Sequence, residues 1–231
     1  MKTIGLIGGM SWESSIEYYR IINETIRDEL GGLHSAKSIM VSVDFAEIET
    51  LQHAGDWPAL TRRMIEAARQ VQAGGGDFVV ICTNTMHKMA DDVAAAITIP
   101  ILHIADATAA RIKAQNINTI GLLGTRFTME EDFYKGRLIR NHGLKVLVPD
   151  DAGRADVHRI IYDELVAGKI RAESKARYLQ IMQALVARGA QGIILGCTEI
   201  GLLVNQEDCQ LPVFDTTRIH AQEAVKQALE R

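Results

Sequence analysis

Two stretches of the chain recur, and that recurrence limits the fold more than any other feature. Lys2-Thr3-Ile4-Gly5-Leu6-Ile7-Gly8 is matched by Asn118-Thr119-Ile120-Gly121-Leu122-Leu123-Gly124. Gly75-Gly76-Asp77-Phe78-Val79-Val80-Ile81-Cys82-Thr83-Asn84 lies over Gly189-Ala190-Gln191-Gly192-Ile193-Ile194-Leu195-Gly196-Cys197-Thr198. The spacing is nearly conserved, with 79 residues from Ile4 to Thr83 and 77 from Ile120 to Cys197. A chain of 231 residues is therefore read as two similar halves of about 110 residues, each large enough to be a domain.

Within each half, short apolar runs alternate with longer amphipathic stretches. Ile4–Ile7 reads as a buried strand closed by Gly8-Gly9, and Ser14-x-x-Glu17 has the capping-box form of a helix reaching about Leu30. Strands follow at Ile39–Val43, Phe78–Ile81 and Ile101–Ile104, with helices at Trp57–Gln72 and His87–Ala96. The alternation continues through Ile120–Leu123, Val146–Val148, Ile193–Leu195 and Val213–Phe214. This order predicts an α/β fold with mainly parallel sheets covered by helices. Leu211-Pro212-Val213 follows Cys197 much as Ile99-Pro100-Ile101 follows Thr83, so the chain is expected to cross near both prolines. The first domain is then 1–98 plus 211–231, and the second is 99–210.

Composition narrows the function classes. Apolar residues make up 47% of the chain, enough for two cores, and disorder is excluded as the main state. A net charge of −4 without Lys/Arg blocks argues against nucleic acid as the main partner. No apolar run approaches the ~18 residues of a membrane span. The opening residues read as a strand of the fold, not as a signal peptide. Cys82, Cys197 and Cys209 are too few and too scattered for a disulfide framework or a zinc site, which points to a reducing, cytoplasmic setting. No lysine motif suggests pyridoxal phosphate.

In open α/β sheets ligands bind beyond the carboxyl ends of strands. Four such ends carry polar or reactive groups: Gly8-Gly9-Met10-Ser11, Thr83-Asn84-Thr85, Gly124-Thr125 and Cys197-Thr198-Glu199. Halves facing each other about a pseudo-twofold axis would line one cleft with all four. The repeat superposes Thr83 on Cys197, so the two are expected on opposite walls. Two groups flanking a small substrate suit removal of a proton from one face and delivery to the other.

Leu195-Gly196-Cys197-Thr198-Glu199, Cys82-Thr83-Asn84-Thr85-Met86-His87 and the opening Ile4-Gly5-Leu6-Ile7-Gly8-Gly9-Met10 resemble the paired signatures of the aspartate/glutamate racemase family. The resemblance spans essentially the whole chain. It implies two Rossmann-like domains related by pseudo-symmetry, no cofactor, a homodimer, and inversion of an amino-acid α-carbon by two cysteines, one per domain. Cys197 matches the second cysteine, but Thr83 stands where the family has the first. A thiol of pKa ~8.5 ionises far more readily than a threonine hydroxyl, so Thr83 is a poor base without an activating partner. Cys82 does not replace it, because neighbouring strand residues point to opposite faces and the repeat aligns Cys82 with Gly196.

The resemblance further implies that Cys197 acts on L enantiomers. Acidic substrates are expected, with the Met10 and Ser11 amides, Asn84, Thr85, Thr125 and Thr198 binding the α-carboxylate. Glu199 either tunes Cys197, binds the substrate amine, or caps a helix. Family members acting on acidic substrates hold the side-chain carboxylate with cations. Asp44–Gln52 contains none, which leaves Gln52 and Lys169 as the candidates. His87 and His103 read as structural, and Cys209 as incidental. Rival readings are another one-cysteine reaction on this scaffold (an isomerase, decarboxylase or hydantoin racemase) and an amino-acid-binding protein that has lost catalysis.

Overall fold

The structure, a computed structural model, describes residues 1–230. The chain forms two compact units. One comprises Met1–Ile104 and the chain from His220 on, and the other comprises Ala105–Ile219.

The first unit holds strands β1 (Ile4–Gly8), β2 (Ser38–Ser42), β3 (Phe78–Ile81) and β4 (Ile101–Leu102) in one sheet of order β2-β1-β3-β4. All three pairings are parallel. The second unit repeats this with β5 (Thr119–Gly124), β6 (Lys145–Leu147), β7 (Ile193–Gly196) and β8 (Val213–Asp215), again all parallel, in the order β6-β5-β7-β8. Around the first sheet lie α1 (Trp12–Leu30), α2 (Phe45–His53), α3 (Trp57–Ala73) and α4 (Ala90–Ala95). The second unit carries α5 (Ile104–Lys113), α6 (Arg126–Glu130), α7 (Lys135–His142), α8 (Asp151–Asp163) and α9 (Ala172–Ala187). The final helix, α10 (Thr216–Leu229), begins in the second unit and ends in the first. None of the helices in the described residues is long and apolar enough to cross a membrane.

The repeat is preserved bond by bond. Gly5 pairs with Val79 and, at the equivalent place, Gly121 pairs with Ile193. The Val79 N–H donates to the Pro100 carbonyl at 2.8 Å, and the Ile193 N–H donates to the Pro212 carbonyl at 2.9 Å. Both glycines serve close helix packing. A Cβ on Gly5 would collide with Val71 of α3, and one on Gly121 would come within 3.1 Å of Leu185 of α9.

The strands of the first unit bury both faces, as parallel strands do. Ile7, Val79 and Ile81 pack with Leu60, Met64 and Val71 of α3. Leu6, Val80 and Cys82 point the other way, among Tyr18 and Ile22 of α1 and Ala221, Ala224 and Val225 of α10. Cys82 is thus a fully buried thiol within that core, and burial pushes its pKa far up.

Three expectations are corrected. Each proline-led strand completes its own sheet: β4 pairs with β3, and β8 pairs with β7. The chain therefore changes units after Ile104 and after Ile219, not at 98/99 and 210/211. Both strands find a backbone partner on the open edge of their own sheet, and the helices that follow carry the chain across. Helix α1 starts at Trp12 with Ser11 as its cap, whose hydroxyl accepts the Ser14 N–H at 3.4 Å. Gly9, at φ 89°, turns the chain at once, and the Ser14 and Ser15 hydroxyls donate back to the Ser11 carbonyl at 3.0 and 2.9 Å. Finally, the span from His87 begins as a 3-10 turn over Thr85–Met89, with the His87 N–H on the Asn84 carbonyl three residues back.

Candidate active site

In the first unit the expected residues gather at the carboxyl ends of β1 and β3. These ends are adjacent because Ile7 pairs with Ile81 and the Cys82 N–H donates to the Ile7 carbonyl. Past β1, Gly9 approaches β2 so closely that a Cβ there would collide with the Val43 carbonyl, and its N–H donates to the Ser15 hydroxyl at 2.8 Å. Met10 and Ser11 follow, both buried. Past β3 come Thr83, half-buried, then Asn84 and Thr85, both buried. The Thr83 backbone is held at both ends. Its N–H donates to the Ile81 carbonyl at 2.9 Å, and its carbonyl accepts from His87 Nδ1 at 2.8 Å. Gln52 is buried in the last turn of α2, the helix that follows β2 on the same side of the sheet.

In the second unit Gly124 pairs with Gly196, which places Thr125 and Cys197 at neighbouring strand ends. The approach is tight: a Cβ on either glycine would lie 2.8 Å from the carbonyl oxygen of the opposite strand. Thr125 caps α6, accepting the Thr128 N–H at 3.4 Å. Cys197 is partly buried. Its thiol donates to Glu199 Oε2 at 3.0 Å, and the Thr198 hydroxyl donates to the same oxygen at 2.9 Å. Glu199 itself is buried. Burial raises the Cys197 pKa well above its ordinary value, and the Glu199 charge and hydrogen bond add to this, opposed by the backbone N–H groups of Glu199 and Thr198. The proton therefore rests on sulfur, with a carboxylate already aligned to take it. Tyr178 of α9 lies close behind, its hydroxyl on the Val157 carbonyl at 3.2 Å. Burial and the acidic groups Cys197, Glu164 and Glu199 keep it un-ionised.

Lys169 is exposed on the loop after α8. Among the described residues no hydrogen bond or ion pair joins it to the Cys197 turn. His87 has both ring nitrogens engaged by backbone, with Nδ1 on the Thr83 carbonyl and Nε2 accepting the Ile104 N–H at 3.2 Å. Sequence reasoning overlooked what stands behind His87. The His220 ring lies 5.7 Å from it, accepting from the Tyr18 hydroxyl at 2.9 Å and donating to the Leu102 carbonyl at 2.9 Å. The one available signal was the repeat, which sets Tyr18 opposite Tyr134. Nothing in the sequence marks His220. Ser174, whose hydroxyl donates to the buried Glu164 at 2.6 Å, was overlooked as well.

The model of the Asp/Glu/hydantoin racemase family matches residues 7–224. The chain is 23% identical over 177 residues to the broad-specificity amino-acid racemase RacX of Bacillus subtilis (strain 168), covering 74% of this chain and 73% of that one. Among solved structures it is similar to a candidate Asp/Glu racemase of Yersinia pestis, with 56% identity and a TM-score of 0.93. It is also similar to an aspartate racemase homologue of Pyrococcus horikoshii OT3, with 33% identity and a TM-score of 0.86. Both matches cover 100% of each chain.

Proposed function

The chain belongs to the Asp/Glu/hydantoin racemase family, an isomerase acting on an amino acid, and from that premise we propose a homodimeric, cofactor-independent racemase of aspartate or glutamate. Cys197 takes the α-proton of the L enantiomer, and Thr83 serves the opposite face from the first unit. The observation that carries this reading is the 3.0 Å hydrogen bond from the Cys197 thiol to Glu199.

That pair holds one negative charge and one mobile proton. Moving the proton from sulfur to carboxylate creates the thiolate. The thiolate then removes the α-proton, sulfur becomes a thiol again, and the electron pair passes into the substrate carboxylate as an enediolate. The strand-end amides and the Asn84, Thr85 and Thr125 side chains supply hydrogen-bond donors for that charge, while the Thr198 hydroxyl, expected to join them, is committed to Glu199. The position equivalent to Glu199 in the first unit is Thr85, which carries no charge, so Thr83 has no matching proton acceptor two residues on. This asymmetry supports efficient abstraction from the L side and slow exchange from the D side. Net racemisation still has equal kcat/KM in both directions, because the enantiomers are equally stable. The asymmetry is therefore read in Cα–H exchange.

The absence of Arg and Lys from Asp44–Gln52 and the exposure of Lys169 favour a second reading of the substrate, in which neutral amino acids are also accepted. The name of the relative RacX points the same way.

The test is proton NMR in D₂O with L- and D-aspartate and L- and D-glutamate, using the wild type, Cys197→Ala and Thr83→Ala. Exchange from L substrates that disappears in Cys197→Ala is the expected result. Equal exchange from both enantiomers would sink the one-sided reading, and exchange only from neutral amino acids would replace the substrate class.

A further inference from the structure

The two reactive strand ends are equivalent in the repeat, yet their backbones are held differently. The Cys197 carbonyl accepts the Ile200 N–H at 3.1 Å, a bond within the turn itself. The Thr83 carbonyl accepts from a side chain, His87 Nδ1, at 2.8 Å. The residue equivalent to His87 is Gly201, where a Cβ would lie 3.0 Å from the Asp215 carboxylate. The second unit therefore has no counterpart of this tether.

We propose that His87 is a positioning residue for the Thr83 side of the reaction, setting the direction of the Thr83 hydroxyl through the Thr83 backbone. The inference rests on the role given to Thr83 above. With the Thr83 N–H on Ile81 and its carbonyl on His87, both dihedral angles of the residue are restrained, and so is the direction of its Cα–Cβ bond. The ring itself has little freedom. Its Nε2 accepts the Ile104 N–H, which requires the tautomer with the proton on Nδ1, the nitrogen facing Thr83. His103 lies against one side, with ring centroids 4.5 Å apart, and His220 presents an edge at 5.7 Å. His220 is in turn fixed between the Tyr18 hydroxyl and the Leu102 carbonyl. A buried ring with both nitrogens engaged and two rings packed on it transmits the position of the β4 end to the Thr83 turn with little slack.

Two substitutions divide the roles of the ring. His87→Asn keeps an N–H donor near the place of Nδ1 and loses the acceptor for Ile104. His87→Gln reaches the place of Nε2, where its carbonyl accepts from Ile104, and leaves the Thr83 carbonyl without its donor. In D₂O, His87→Gln is expected to slow D-side Cα–H exchange about tenfold, the worth of one hydrogen bond. L-side exchange, carried by Cys197, is expected to stay within about threefold of wild type. His87→Asn is expected to retain most of the D-side rate. If both faces fall together with the melting temperature, or if neither falls in His87→Gln, His87 is only structural and the proposal is overturned. If Thr83→Ala leaves D-side exchange unchanged, or the wild type exchanges neither enantiomer, the role of Thr83 itself is overturned and this inference with it. The Thr83→Ala and wild-type arms tell that failure from the first.

Discussion

At the scale of single residues, reactivity is set by where a proton rests. The Cys197 thiol is kept protonated first by burial and then by the Glu199 carboxylate, which both repels a thiolate and accepts the S–H. Neutralising that carboxylate removes the repulsion, so the thiol pKa falls in Glu199→Gln and more thiolate is present at any given pH. Alkylation of Cys197 by iodoacetamide near pH 8, followed on its own peptide by mass spectrometry, is expected to speed up severalfold. Slower alkylation in Glu199→Gln would mean that the carboxylate favours thiolate in the folded protein, contrary to the geometry. Cys82 is the internal control: it is buried in the core on the opposite strand face and should remain unmodified.

At the scale of elements, a few buried polar contacts hold helices to strands. Tyr18 on α1, His220 on α10 and the Leu102 carbonyl of β4 form one chain of hydrogen bonds across a face of the first sheet. Burial, aided by the nearby His87, lowers the His220 pKa from its ordinary 6.5 to about 3. Between those values the unfolded chain binds a proton that the folded protein refuses. Stability is therefore full above the unfolded value and falls as pH drops through the window, by about 1.4 kcal/mol per pH unit from this one group. Urea midpoints measured from neutral pH down to the mid-window should lose this slope in His220→Gln, whatever the variant's stability at neutral pH. An unchanged slope would show that His220 is not the group responsible.

At the scale of the whole molecule, the chain is one α/β plan used twice, with Thr83, Thr85 and His87 in the first unit where the second has Cys197, Glu199 and Gly201. Both sheets have the same order, register and proline-led last strand. Thr83→Cys would give both units a thiol at that position. D-side Cα–H exchange is expected to rise about tenfold or more, because a thiol ionises near neutral pH and a hydroxyl does not. Racemisation followed by chiral chromatography should rise in both directions together, as equal enantiomer stability demands. A D-side rate no higher than that of wild type would argue that Thr83 does not face the substrate.

Much of this was legible without coordinates, because some signals are local. Hydrophobic period and length distinguish strands from helices, and side-chain alternation already argued against Cys82 as a stand-in for Thr83; the packed structure then shows Cys82 in the core. The repeat exposed the duplicated sheet and the equivalence of Thr83 and Cys197. Tertiary structure decided what depends on distant partners. Which sheet a proline-led strand joins is a matter of which edge offers free backbone groups, and this moved both crossings past Ile99 and Leu211 to Ile104 and Ile219. The cap of α1 shifted to Ser11 because Gly9 turns the chain beside Val43, more than thirty residues away. His220 meets Tyr18 across 202 positions of sequence. No local pattern announces such a contact, since burial and hydrogen bonding depend on the packed neighbours and not on the residues beside it in the chain.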